Sequence, residues 1–196
     1  MWAKINTGES VAVLGVGGIG LSAVMAASAV GAEKIIAVDV FDQKLDLAEQ
    51  IGATHKINST SKNPLNEILE ITHGKGVDYA IESAGRKDTM ETALQSVRNG
   101  GGICIIAGNL PNGEKISIDP MDLIGGKNIM GTWGGETKPD EDIPKYVDLF
   151  LDGKLKLNKL ITHVYKLEDI NKAFGELESG KTGRVLIDMS IKQKNK

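Results

Sequence analysis

Short, continuously apolar runs alternate with stretches of helical period along the first two thirds of the chain. "VAVLGV" (11–16) precedes "IGLSAVMAASAVGA" (19–32), "KIIAVDV" (34–40) precedes "QKLDLAEQIGA" (43–53), and a short "HKIN" (55–58) precedes a helical stretch around "PLNEILEITHG" (64–74). "VDYAIES" (77–83) then precedes "DTMETALQSV" (88–97), and the runs "GICIIAG" (102–108) and "NIMGTW" (128–133) follow. Such alternation predicts a parallel sheet with helices on both faces, because parallel strands need crossover connections and helices are the usual ones. The runs are apolar throughout rather than at every second position, as strands covered on both faces require.

Within the first strand-to-helix junction, Gly15, Gly17 and Gly20 stand at the spacing G-x-G-x-x-G, and Asp39 closes the second apolar run. The glycine spacing alone is a weak signal. Its place directly after a strand and at the opening of a helix is stronger, since it aims unpaired backbone amides and the positive helix end at one point. There Gly15 permits the tight turn, Gly17 lets a pyrophosphate approach the backbone, and Gly20 lets the helix lie close to the strand. Asp39 sits where a carboxylate accepts the adenosine ribose hydroxyls, which favours NAD over its 2'-phosphorylated form. S-adenosylmethionine is the competing ligand, because its binding domains also pair a glycine loop with an acid after the second strand. It carries no pyrophosphate. The expected fold is therefore an α/β Rossmann domain, a doubly wound parallel sheet of about six strands over residues 1–135.

After about residue 135 the rhythm changes. "DEDIPKYVDLFLDGKL" (140–155) reads as a helix with an acidic start, "LITHVYKL" (160–167) as a strand, "EDINKAFGELESGK" (168–181) as a helix ended by Gly180, and "GRVLIDM" (183–189) as a last strand. The polar tail "SIKQKNK" is expected to fray. Residues 136–196 thus form a structured C-terminal segment that does not continue the wound sheet.

Composition narrows the function classes. The 196 residues carry a net charge of -3 with a pI near 5.7, and nucleic acid or anionic lipid asks for a basic face. Neither partner is expected. No apolar stretch is long enough for a membrane span, and the first residues lack the plan of a secretory signal, so the chain reads as cytoplasmic. The single cysteine, Cys104 in "GGGICIIAG", excludes an intramolecular disulfide and reads as a buried strand residue. His55, His73 and His163 share no metal-ligand spacing and read as structural or solvated.

"VAVLGVGGIGLSAVMAA", "IIAVDVFDQKLDLAEQIGATHKIN", "VDYAIESAG", "IAG", "LITHVYKLEDINKAF" and "SGKTGRVLI" together resemble the zinc-dependent medium-chain alcohol dehydrogenases, in family order from about Thr7 to Met189. The resemblance implies that residues 1–135 are the cofactor domain and that residues 136–196 return to the catalytic domain. It also implies roles for single residues. Gly15, Gly17, Gly18, Ile19 and Gly20 match the pyrophosphate loop, Asp39 the ribose-binding acid, and Lys44 a lysine that leans on the adenosine ribose. On its own, Lys44 reads equally as a solvated charge on an exposed helix face. Ser83 and Ala84 match positions lining the cofactor cleft, and Arg86 stands where a cofactor-contacting arginine occurs. Ala107, Gly108 and Asn109 match a loop whose backbone meets the nicotinamide carboxamide, and Arg184 matches an arginine that reaches the pyrophosphate. The match weakens at "GTWGGETKPDED", where Thr132 and Trp133 are carried over.

No residue here corresponds to the family's zinc ligands, to its structural zinc loop or to its proton relay. The resemblance therefore implies the NAD-binding portion of an enzyme that moves hydride between an alcohol or aldehyde and NAD, with zinc confined to the absent catalytic domain. A stand-alone NAD-binding module and a zinc-free reductase of the same superfamily are the alternatives. Family dimers pair the last strand of the wound sheet, which implies a homodimer through residues 127–133.

Overall fold

The structure, a computed structural model, describes residues 4–180 and 182–190. The tail beyond Ser190, expected to fray, lies outside them. The described chain runs β1 (Ser10–Leu14), α1 (Gly18–Ala29), β2 (Lys34–Asp39), α2 (Asp42–Ile51), β3 (His55–Asn58), α3 (Pro64–Ile71), β4 (Tyr79–Glu82), α4 (Lys87–Ser96), β5 (Ile103–Ile106), α5 (Pro120–Ile124) and β6 (Asn128–Gly131). It continues with α6 (Pro139–Leu151), β7 (Ile161–Tyr165), α7 (Ile170–Glu178) and β8 (Arg184–Ile187).

The first six strands form one all-parallel sheet in the order β3-β2-β1-β4-β5-β6. This is the doubly wound Rossmann arrangement, and its order reverses between β1 and β4. Alternate side chains of each strand enter two separate cores. Val11, Val13, Ile35 and Ala37 pack beneath α1 and α2 with Leu21, Met25, Leu45 and Ile51, whereas Ala12, Leu14, Ile36 and Val38 pack on the other face with Ile68, Ala93 and Leu94 of α3 and α4. With both faces covered, every position of β1 after Ser10 must be apolar, which is why these strands do not alternate.

Beyond β6 the chain leaves the sheet. Leu155 and Leu160, with Tyr146, Leu149 and Phe150, pack against the α1–α2 core, and β7 pairs with β8 in a separate two-stranded parallel sheet. That small sheet leaves Val164, Leu186 and Phe174 about half exposed.

Several boundaries differ from the sequence expectation. The run 128–133 is a strand only to Gly131, because Thr132 makes the last backbone bond, to Ile106, before a 3-10 turn at Gly134–Glu136. α6 starts at Pro139, where a missing amide matters least, and also holds Pro144 in its interior, where one intrahelical amide bond is forgone. The stretch 168–181 divides into a 3-10 turn at Leu167–Asp169 and then α7. α5 has no counterpart among the sequence expectations; Asp119 caps it by accepting the amide of Met121 at 2.9 Å, and Pro120 fills its first turn.

Candidate functional site

The site forms at the carboxyl ends of β1, β2, β4 and β5, where the strand order reverses. The turn after β1 needs glycine for two reasons. Gly15 has φ +87° and backs onto Ala84, whose Cβ stands 2.7 Å from where a Gly15 Cβ would be. At Gly20 a Cβ would collide with the Gly15 carbonyl and come within 2.8 Å of Ser83 Oγ, so only a bare Cα lets α1 settle onto the turn. Ser83 ties the same turn to β4 by donating its hydroxyl to the Gly15 carbonyl at 2.6 Å.

α1 opens at Gly18 with Gly17 as its N-cap, so no side chain satisfies its leading amides and no acid sits in its first turn. The space above Gly17 is clear to beyond 4 Å. Over Gly18 lies the guanidinium of Arg184, with Cζ 2.7 Å from a built Cβ, although Arg184 belongs to β8. Amide donors, the positive end of a helix and one arginine thus meet over an open glycine surface, which suits a pyrophosphate in charge and shape. Ile19, next in the loop, is half exposed.

Asp39 ends β2 with its side chain nearly buried. Its Oδ2 accepts the amide of Val16 at 2.9 Å, and its Oδ1 accepts those of Val40 and Phe41 at 2.8 and 3.1 Å. Lys44 approaches Oδ2 to 3.9 Å and stands 5.3 Å from the centre of the Phe41 ring. Its side chain is only 13% exposed, which corrects the view of Lys44 as a solvated charge on an exposed face. The acid, the lysine and the ring form one assembly beside the glycine loop, on the β2 side.

On the β4–β5 side, Ala84 and Gly85 follow β4, and Ala107, Gly108 and Asn109 follow β5. The two loops abut, since a Cβ at Gly85 would lie 2.7 Å from the Asn109 carbonyl. Beneath them is a residue that the sequence reading passed over. Glu82, at the end of β4, is fully buried, and its Oε1 accepts from the amides of Ala84 and Gly85 at 2.9 and 2.8 Å and from Thr89 Oγ1 at 2.7 Å. The sequence signal was an acid ending an otherwise apolar central strand.

Two expected residues stand apart from this convergence. Arg86 is exposed and pairs with Asp88 at 3.1 Å, which together with its hydrogen bonds holds that carboxyl below the usual carboxylate range; it lines an open cavity of about 620 Å³ with Leu110, Pro111 and Glu114. Thr132 follows β6 and accepts the Gly135 amide at 3.0 Å, while Trp133 beside it is 85% exposed. Among the described residues there is no group of three or more His, Cys, Asp or Glu able to hold a metal ion. Cys104 is fully buried, and burial, followed by the charge of Glu82, pushes its thiol up to about 12.

The family model described as zinc-binding dehydrogenase matches residues 18–152. The chain belongs to the zinc-binding dehydrogenase family. Solved structures of this family superpose closely on it. Benzyl alcohol dehydrogenase from Acinetobacter calcoaceticus is 35% identical at a TM-score of 0.88, over 94% of this chain and 51% of its own. An alcohol dehydrogenase zinc-binding domain protein from Burkholderia ambifaria is 38% identical at 0.87, over 94% and 50%. A zinc-binding dehydrogenase from Sinorhizobium meliloti bound to NADP is 28% identical at 0.77, over 88% and 50%. This zinc-binding dehydrogenase chain therefore spans about half the length of the structures it matches. No helix among its described residues is long and apolar enough to cross a membrane.

Proposed function

We propose that the chain binds NAD at the carboxyl end of the β1–β4 junction and orients its nicotinamide for hydride exchange with an alcohol or aldehyde in a complete enzyme. The observation that carries this reading is the convergence of the α1 amides, Arg184 and the Asp39–Lys44 pair around one clear glycine surface. The pyrophosphate would lie against the loop of Gly15, Gly17, Gly18, Ile19 and Gly20, at the clear face of Gly17 and beside Arg184, with the adenosine ribose against Asp39 and Lys44. The nicotinamide would then fall between Ser83–Ala84 and Ala107–Asn109, with Arg86 and Thr132 at the margin. When bound, the nicotinamide supplies the hydride acceptor. The residues described here hold it, aim it and cover one side of it from water. Among them there is no group of three or more His, Cys, Asp or Glu able to hold zinc.

Asp39 favours NAD, because a 2'-phosphate would meet its carboxylate at close range. The structural relative bound to NADP favours the second reading, the phosphorylated cofactor. Calorimetric titration with NAD, NADP and S-adenosylmethionine separates them. NAD should bind most tightly of the three, and binding of S-adenosylmethionine alone, or of none, would overturn the proposal. Turnover when an alcohol-binding partner chain is supplied would distinguish half of an enzyme from a stand-alone binding module.

β6 is an edge strand of the sheet, and an unpaired edge invites a partner. We assign residues 127–133 to a homodimer contact, and a monomeric mass by light scattering at high protein concentration would refute it.

A further inference from the structure

Glu82 occupies the centre of the sheet, in register with Leu14 of β1 and Ile106 of β5. Packing alone would place another apolar residue there. A carboxyl group instead lies fully buried, and while Oε1 takes three donors, Oε2 is buried with no hydrogen-bond partner among the described residues. Burying polar oxygen in this way costs stability, so what the group does locally must offset it.

What it does is join two loops. Oε1 fixes the amides of Ala84 and Gly85 and the hydroxyl of Thr89 in the first turn of α4. The Glu82 carbonyl accepts from Ala107 and Gly108 at 2.8 and 3.1 Å, and Oε2 lies 2.6 Å from the point where a Gly108 Cβ would be. A Cβ there would also strike the backbone of Gly85, so Gly108 has to be bare for the two loops and the carboxyl to fit together. Both loops belong to the β4–β5 half of the sheet. In a doubly wound sheet the β1–β2 half takes one nucleotide, here marked by Asp39, and the other half takes the second.

We propose that Glu82 is a positioning residue for the second nucleotide, the nicotinamide half of a bound dinucleotide. It sets the backbone of Ala84–Gly85 and of Ala107–Asn109 without touching the ligand. This rests on the dinucleotide reading above. Its consequence is a division of labour: Asp39 and Arg184 govern the adenosine diphosphate end, and Glu82 governs affinity gained from nicotinamide.

The test titrates the chain and its Glu82→Gln and Thr89→Val variants with NAD and with ADP-ribose, the same molecule without nicotinamide. Glu82→Gln places an amide donor where Oε2 finds no partner among the described residues, and Thr89→Val removes one donor to Oε1 from a partly exposed position in the first turn of α4. NAD affinity should fall about tenfold in Glu82→Gln, on the usual cost of a buried donor left without an acceptor, and about threefold in Thr89→Val, on the usual worth of one lost hydrogen bond. ADP-ribose affinity should stay within about twofold, and the double variant should be no worse than Glu82→Gln, as for residues acting through one group. Hydrogen exchange at Ala84 and Gly85 should quicken in both variants. Equal losses for the two ligands, or no loss, would overturn the assignment and leave the dinucleotide reading standing. So would an unsubstituted chain that binds NAD no better than ADP-ribose. A chain that binds neither ligand would overturn both. If Glu82→Gln does not fold, Thr89→Val alone decides the matter by the same criteria.

Discussion

The carboxylate of Asp39 accepts the amide of Val16 at 2.9 Å, which locks the acid at the end of β2 to the turn that opens the glycine loop. One side chain thus belongs both to the architecture of the loop and to the proposed ribose subsite.

Replacing Asp39 by alanine should accordingly have two separable effects. Loss of the acceptor for Val16, Val40 and Phe41 should lower stability by about 1–2 kcal/mol, measured by denaturant unfolding. NAD affinity should drop about tenfold while NADP affinity drops less, so that the ratio of the two narrows. An unchanged ratio in calorimetry would remove Asp39 from the ribose subsite.

Arg184 is exposed and reaches the loop only with its head group. Arg184→Ala should therefore leave the unfolding midpoint almost unchanged and weaken NAD binding by about fivefold to twentyfold, the scale of one charge-assisted phosphate contact. Because the contact is exposed, the difference between the two proteins should shrink as salt is raised from low ionic strength. A salt-independent difference would point to a packing role instead.

Asp78 bridges the starts of β1 and β4. Burial on its own would raise its carboxyl, but Arg98 at 2.6 Å and the amide and hydroxyl of Ser10 at 2.9 and 2.7 Å hold it below the ordinary carboxylate value. A carboxylate lowered in the folded state adds stability above the unfolded value near 4, and that stability is lost as pH falls through the folded value. Asp78→Asn should thus cost about 1–2 kcal/mol at pH 7, and the gap to the unsubstituted chain should narrow as pH falls below about 4, through the lowered folded value. A gap that is as wide in acid as at pH 7 would contradict the assignment.

The purified chain should take up no stoichiometric zinc and should not oxidise alcohols by itself. The one thiol is buried with its acidity suppressed to about 12, and the described residues offer no converging ligand set. A catalytic zinc needs about three protein ligands. Metal analysis and an assay over primary and secondary alcohols check this, and bound zinc with steady NADH production would refute it.

How much of this was legible in the sequence varies by element. β1, β2, β4 and β5 announced themselves because strands buried on both faces leave no room for polar interruption, and the glycine spacing marks a turn that only bare Cα atoms can make. α5 was not legible: with five residues and none of them buried, it has no apolar face to give a period. Lys44 looked solvated because helix position alone does not reveal that Asp39 and Phe41 fold over it. Glu82 was missed for a related reason. Its donors include the backbone amides of Ala84 and Gly85, which leave no trace in residue type.

The position of Arg184 in the chain has a bearing on how the protein is made. The glycine loop and all six strands of the main sheet are synthesised well before β8, so a nascent chain can assemble its sheet while the glycine loop still lacks the arginine that packs on Gly18. Domains fold as units during synthesis, the earlier parts first. The proposed affinity for a dinucleotide would thus be completed only once β8 has been synthesised, after the fold that displays the loop is already in place.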